Sequence, residues 1–252
     1  VVGAATHIVD CGNGVARQMA KEGLPFRSLR AVFITHHHSD HNADFGNLFL
    51  LSWAAGLDTA VDAYGPPPLA RMTAQFLALN AFDIATRIAD EGRPPLAPLI
   101  RAHEIDAAGD VYADANIRVR CALVEHPPVV PAFAFRCDTA DRSIVFSGDT
   151  APCAALVALA RGADVLVHEV LYEPALDAIC GRLANATRLR QHLRASHTMQ
   201  HEVGAIARDA GVKCLVLAHF VPAESVADEA WRDAAAAEFK GEIVLGKDLQ
   251  VL

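Results

Sequence analysis

The sequence predicts an α/β protein in which helices pack outside two β-sheets. Strand-like runs cluster in the middle of the chain, at residues 111–113, 117–125, 132–137 and 143–147, and then alternate with helical stretches. Hydrophobic residues make up 52% of the 252, enough for a sizeable core. No Pro/Gly/Ser-rich linker interrupts the chain, so a single domain over residues 1–252 is expected.

In order, residues 6–10 predict a short strand, and Cys11-Gly12-Asn13-Gly14 a turn into a helix over 15–22, which Gly23-Leu24-Pro25 ends. The apolar residues 31–34 belong to a strand over 30–34. A helix over 43–55 carries Phe45, Leu48, Phe49, Leu50, Leu51 and Trp53, read as core rather than pocket lining. A strand over 59–64 is closed by Gly65-Pro66-Pro67-Pro68. Residues 69–90 supply one or two helices, Gly92-Arg93-Pro94-Pro95 breaks them, and a strand follows at 99–105. This helical insertion at about 66–98 is expected to act as a lid, a dimer contact or a plain surface excursion. After the central strands come a helix at 153–161, a strand at 164–168, and helical stretches near 173–192 and 200–210. A strand at 213–218, a helix at 224–239 and closing strands at 242–245 and 249–252 complete the chain.

The chemistry is concentrated after the second strand, in Thr35-His36-His37-His38-Ser39-Asp40-His41-Asn42. Its spacing is His-x-His-x-Asp-His. Alternate residues of an extended segment point to one side, so His36 and His38 can converge on one metal ion. Asp40 and His41 follow where the chain turns and can reach a second ion. Neutral imidazole and carboxylate suit Zn²⁺ and similar divalent ions, Mn²⁺ and Fe²⁺ among them. Two ions need further donors, expected at strand ends where loops gather. His126 follows the strand at 117–125, Asp149 lies in Ser147-Gly148-Asp149-Thr150, and His219 follows the strand at 213–218.

The order His-x-His-x-Asp-His, then His, then Gly-Asp-Thr, then His, with the early Asp10-x-Gly12 turn, resembles the metallo-β-lactamase superfamily of binuclear hydrolases. The resemblance covers most of the chain. It implies a four-layer αβ/βα sandwich of two mixed sheets flanked by helices. It also implies that His36, His38 and His126 hold one ion, Asp40, His41 and His219 the other, and that Asp149 bridges them. His168-Glu169 and Ser196-His197-Thr198 are similar to motifs of the ribonuclease Z branch, in which the second His assists catalysis and the Glu orients it. The matching residues are His197 and Glu169. Asp40, His197 and Glu169 are thus the catalytic candidates, Asp40 being a ligand as well, and Asp10 is an expected hydrogen-bond acceptor for a ligating imidazole.

Several features depart from that branch. Ribonuclease Z carries a long arm for tRNA before the bridging Asp, whereas His126 and Asp149 are only 23 positions apart. Phe220-Val221-Pro222 follows His219 in place of Ser-x-Arg-Tyr, and the first β-hairpin of the usual fold is expected to be missing ahead of Val1. Net charge is −8, with no long Lys/Arg run. From these features tRNA is not expected as a substrate. The expected partner is a small-molecule ester or phosphodiester, with no membrane association and a homodimer as one assembly. The expected reaction is metal-dependent ester hydrolysis, by a phosphodiesterase or a lactonase. The alternatives are β-lactam hydrolysis and a non-catalytic metal-binding module. The six cysteines are scattered without a Cys-x-x-Cys pair, as buried thiols of a reducing compartment are. A cytoplasmic location is therefore expected, or a periplasmic or secreted one if a leader precedes the abrupt start at Val1.

Overall fold

The computed structural model describes residues 1–181, 186–223 and 225–252. Residues 182–185, inside the helical stretch expected at 173–192, and Glu224, at the start of the helix expected at 224–239, lie outside the described residues. The chain divides into two compact units, Val1–Asp106 and Ala107–Leu252.

The first unit has a four-stranded sheet in the order β1 (Thr6–Val9), β2 (Leu29–Phe33), β3 (Val61–Gly65), β4 (Ile100–Glu104), with every pair parallel. Parallel strands need crossovers, and helices supply them: α1 (Val15–Lys21) after β1, α2 (Ser39–Asn42) and α3 (Phe45–Ala54) after β2, and α4 (Leu69–Leu79) and α5 (Ala81–Glu91) after β3. Met19 of α1 and Phe45, Leu48, Phe49 and Trp53 of α3 pack on Leu29, Val32, Val61 and Ala63 of the sheet. Phe45, Leu48, Phe49 and Trp53 are therefore core, as expected, with Leu50 half-buried against them. Leu51 is instead exposed, because it lies on the face of α3 turned from the sheet. The expected helical stretch at 69–90 is two helices, α4 and α5.

The second unit has a seven-stranded mixed sheet in the order β11-β10-β9-β8-β7-β6-β5. Strands β5 (Gly109–Ala113), β6 (Ile117–Leu123), β7 (Phe133–Thr139) and β8 (Ser143–Phe146) form an antiparallel meander. From β8 the sheet turns parallel through β9 (Val165–Leu171), β10 (Cys214–Val221) and β11 (Glu242–Leu245). The helices between these strands are α6 (Ala154–Ala160), α7 (Leu176–Cys180), α8 (Ala186–Ser196), α9 (Val203–Ala210) and α10 (Asp228–Ala236). Leu156, Val203, Ile206, Trp231 and Ala235 from α6, α9 and α10 bury against Val145, Leu166, Val170, Leu215 and Leu217. Gly204 permits the close approach of α9 to α10, since a Cβ there would lie 2.2 Å from the Ala235 carbonyl oxygen.

The α/β class with two sheets flanked by helices is therefore what the structure has; of the two sheets, the second is mixed and the first purely parallel. Two local expectations are corrected. Residues 249–252 form no strand: Leu249 takes φ 61°, and Gln250 N–H donates to the Lys247 carbonyl at 3.1 Å, closing a turn instead. Strand β9 runs to Leu171, so His168 and Glu169 lie within it rather than at its end. The extension exists because Val170 and Leu171 pair with Phe220 and Val221 of β10, beyond a bulge that sequence periodicity does not register.

Candidate metal centre

In the first unit, the chain leaves β2 extended, with His38 at φ −86° and ψ 152°, and turns at once into α2. The turn after β1 braces this loop. Cys11 N–H donates to the His41 carbonyl at 2.7 Å, Asp44 N–H to the Cys11 carbonyl at 2.9 Å, and Gly14 N–H to Asp44 Oδ2 at 2.6 Å. Asp10, at φ 61°, accepts from Thr35 N–H at 2.8 Å, from Thr35 Oγ1 at 2.9 Å and from His41 Nδ1 at 2.8 Å. Two tautomers follow. His41 carries its proton on Nδ1 and presents a lone pair at Nε2. Because Thr35 Oγ1–H is given to Asp10, it accepts from His36 Nδ1 at 3.0 Å, which leaves the His36 lone pair on Nε2.

His36 Nε2 stands 3.1 Å from His38 Nδ1, and the His36 and His41 ring centroids are 4.1 Å apart. Two imidazole nitrogens on one tetrahedral zinc stand about 3.3 Å apart. The donor set and spacing fit a cation. Asp40 is exposed, its Oδ2 3.8 Å from His41 Nε2. His37 is turned away from this group: its Nε2 donates to the Pro66 carbonyl at 2.7 Å, and its Nδ1 meets Asn42 Nδ2 at 3.0 Å. Of the four clustered histidines, His37 is the one that anchors the loop.

Gly12 sits against this loop. A Cβ on it would lie 2.2 Å from the Asp40 carbonyl oxygen. Gly12→Val is therefore expected to cost about 1–3 kcal/mol of stability and to weaken metal uptake by displacing Asp40 and His41. Thermal unfolding with metal titration checks it, and a variant matching the parent in both would refute the close packing.

In the second unit, the site is built from the loops after β6 and β8, from Glu169 within β9 and from the bulge of β10. His126 is buried and donates Nδ1–H to the Ser196 carbonyl at 2.8 Å, which leaves its Nε2 lone pair for a ligand. Asp149 follows Gly148, at φ 59°, and is 2% exposed. His219 occupies the β10 bulge at φ 45°, a conformation uncommon for a residue other than glycine. Its Nδ1 lies 3.5 Å from Asp149 Oδ1. Glu169 holds His197 Nδ1 with both oxygens, at 3.1 and 3.0 Å, and accepts from Thr150 N–H at 2.9 Å. Donor atoms of Asp149, Glu169 and His197 lie within 4.8 Å of one another. Burial, and then Asp149, push the Glu169 carboxyl up from its ordinary range, while the Thr150 and Thr198 N–H groups and His219 oppose this. Divalent charge beside Asp149 would oppose it too. His168 points the other way from Glu169 along the strand. It bonds to the Glu169 carbonyl through Nδ1 at 2.7 Å, and burial lowers its pKa to about 4, which keeps the ring neutral.

Within each unit, the residues expected from the sequence therefore fall together: His36, His38, Asp40 and His41 in the first; His126, Asp149, Glu169, His197 and His219 in the second. Sequence reasoning missed His192, whose ring centroid is 5.9 Å from those of both His126 and His197. Its helical spacing of four from Ser196, immediately before His197, was the available signal.

A family profile described as a β-lactamase superfamily domain matches residues 6–220. A curated relative from Mycobacterium sp. (strain KMS), named Ribonuclease Z, is 38% identical over 250 residues, spanning 98% of this chain and 85% of the relative. Human tRNase Z, short form, superposes with a TM-score of 0.69 at 19% identity, covering 100% of this chain and 90% of that one. The metallo-β-lactamase fold protein YhfI from Bacillus subtilis superposes with a TM-score of 0.69 at 20% identity, covering 98% and 86%.

These likenesses correct the expectation that tRNA is not a substrate and that a small ester takes its place. Two of the features behind it, the missing arm and the acidic balance, do not discriminate. The match to the mycobacterial relative runs over 250 residues against 98% of this chain, which leaves no room for a long inserted arm in the matched stretch of that relative. A net charge of −8 is a sum over the whole chain and hides local patches. No helix among the described residues is long and apolar enough to cross a membrane.

Proposed function

This chain belongs to the ribonuclease-Z-like metallo-β-lactamases, which are binuclear metal-dependent hydrolases, and from that premise we propose that it hydrolyses phosphodiester bonds in RNA, with precursor tRNA as the substrate class. In this reading His36, His38 and His126 would hold one ion, Asp40, His41 and His219 the other, and Asp149 would be shared between them. Zn²⁺ is the expected metal, because imidazole nitrogen with a few carboxylates is its usual donor set; Mn²⁺ and Fe²⁺ suit the same donors less selectively. The cytoplasm is the compartment that keeps the six free thiols reduced.

The observation that carries the reading is the grip of Glu169 on His197 beside Asp149, at 3.0 and 3.1 Å. When bound, the ions lower the pKa of water and neutralise charge on the phosphoryl oxygens. Glu169 fixes the His197 tautomer with its proton on Nδ1 and stabilises the ring when Nε2 is also protonated. His197 Nε2 can then hand that proton to the departing alkoxide, which is a poor leaving group without it. Asp10 and the Ser196 carbonyl orient His41 and His126 in the same manner, each by accepting an Nδ1 proton. Asp40, at the exposed side of its loop, would complete the donor set.

Metal analysis combined with cleavage of a tRNA transcript carrying extra nucleotides at both ends tests this. About two divalent ions per chain are expected, with cleavage lost on chelation and restored by Zn²⁺. A folded protein that holds no metal, or that turns over a β-lactam or a lactone and leaves the transcript intact, overturns it.

A further inference from the structure

Helix α8 is basic in an acidic chain. Its residues Ala186–Ser196 include Arg188, Arg190 and Arg194 and no acid, against a net charge of −8 overall. At 3.6 residues per turn the arginines fall on two stripes. Arg190 and Arg194 share one, and it is neutralised: Arg190 pairs with Asp177, and Arg194 with Glu173 at 2.5 Å. Arg188, His192 and Ser196 share the other. Arg188 is exposed and, among the described residues, makes no ion pair.

That second stripe leads into the candidate site. Ser196 donates its hydroxyl to the Pro127 carbonyl, so its oxygen accepts from His192 Nδ1 at 3.2 Å, which sets the orientation of the half-buried His192 ring. The ring centroid stands 5.9 Å from those of His126 and His197. Arg188 lies one turn outward, about 6 Å along the axis, close to the separation of consecutive phosphates on a nucleic-acid strand.

We propose that this stripe is a track for the RNA backbone. His192 abuts the ribose next to the bond being cut, and Arg188 donates its forked N–H pair to the phosphate one nucleotide further along. The inference rests on the RNA-cleaving reading above and names the residues that hold the strand there. The neutralised stripe has no such role. Its arginines are committed to Asp177 and Glu173, and they serve as the internal comparison.

The test uses the metal-loaded protein and the same tRNA transcript, with binding followed by fluorescence anisotropy and cleavage by steady-state kinetics between about 50 and about 200 mM salt. Arg188→Gln is expected to raise KM with little change in kcat, and to make log affinity against log salt shallower by about 0.7–0.9, the share of one phosphate contact. Arg188→Lys should recover part of the affinity, since it restores the charge without the fork. His192→Ala should raise KM as well. Arg190→Gln is expected to match the parent in KM and slope. If the parent cleaves the transcript and Arg188→Gln keeps the parental KM and salt slope, the track is wrong and the RNA reading stands. A parent that neither binds nor cleaves the transcript overturns both.

Discussion

Asp149→Ala is expected to remove bound metal and hydrolysis together, with activity falling by more than about 100-fold. Asp149 is 2% exposed, its Oδ1 is 3.5 Å from His219 Nδ1 and its Oδ2 is 3.9 Å from His197 Nδ1. A carboxylate so deeply buried needs compensating positive charge, and the two cations it is proposed to share would supply it. Removing an ordinary buried anion that is satisfied by protein groups alone would cost about 3–5 kcal/mol of stability. Here the opposite sign is expected for the metal-free form. Asp149 raises the proton affinity of the neighbouring Glu169, so its loss relieves a like-charge repulsion. The metal-free variant should therefore melt no lower than the metal-free parent. Metal analysis, activity and thermal unfolding of both forms check the three parts. A variant that keeps its metal complement would rule out the bridging role.

His197→Ala is expected to keep its metal and to lose about 10²–10⁴-fold in kcat on RNA. The mechanism predicts how that loss depends on the substrate. An alkoxide needs a proton as it departs, and p-nitrophenolate does not. The penalty should accordingly be far smaller on bis(p-nitrophenyl) phosphate than on RNA, a split that a purely architectural His197 would not produce. Glu169→Gln should show the same split at smaller size, because an amide still bonds to Nδ1 but cannot stabilise a charged ring. If His197→Ala loses metal along with activity, the ring is a ligand, and the donor group it forms with Asp149 and Glu169 within 4.8 Å is an ion site. Equal losses on the two substrates would instead argue against proton delivery.

Much of the architecture could be read from local patterns. Helix α3 shows its apolar residues in order, and Phe45, Leu48, Phe49 and Trp53 are buried in the core. Before the histidines, the apolar run Ala31-Val32-Phe33-Ile34 marks the second half of strand β2. What local patterns missed are features whose cause lies elsewhere in the chain. Leu249 and Val251 alternate as a strand would, yet nothing pairs with them among the described residues, and the segment closes a turn. Strand β9 continues through Leu171 because β10 lies beside it past the bulge at His219. Alternation already sets His37 apart from His36 and His38, but only the structure shows what holds its ring, the Pro66 carbonyl and the Asn42 side chain.

The sequence by itself determined which chemical groups are available and in what order. Imidazole and carboxylate within six consecutive residues, then three more donors after apolar runs, are properties of composition and spacing, and they already imply divalent metal. Tertiary structure alone decided which nitrogen of each ring faces a ligand and which carboxylate serves which histidine. His126 takes its tautomer from the carbonyl of Ser196, 70 positions away, and His197 takes its partner from Glu169, 28 positions away. A ring nitrogen's proton is set by the group nearest its other edge, and only folding brings that group there.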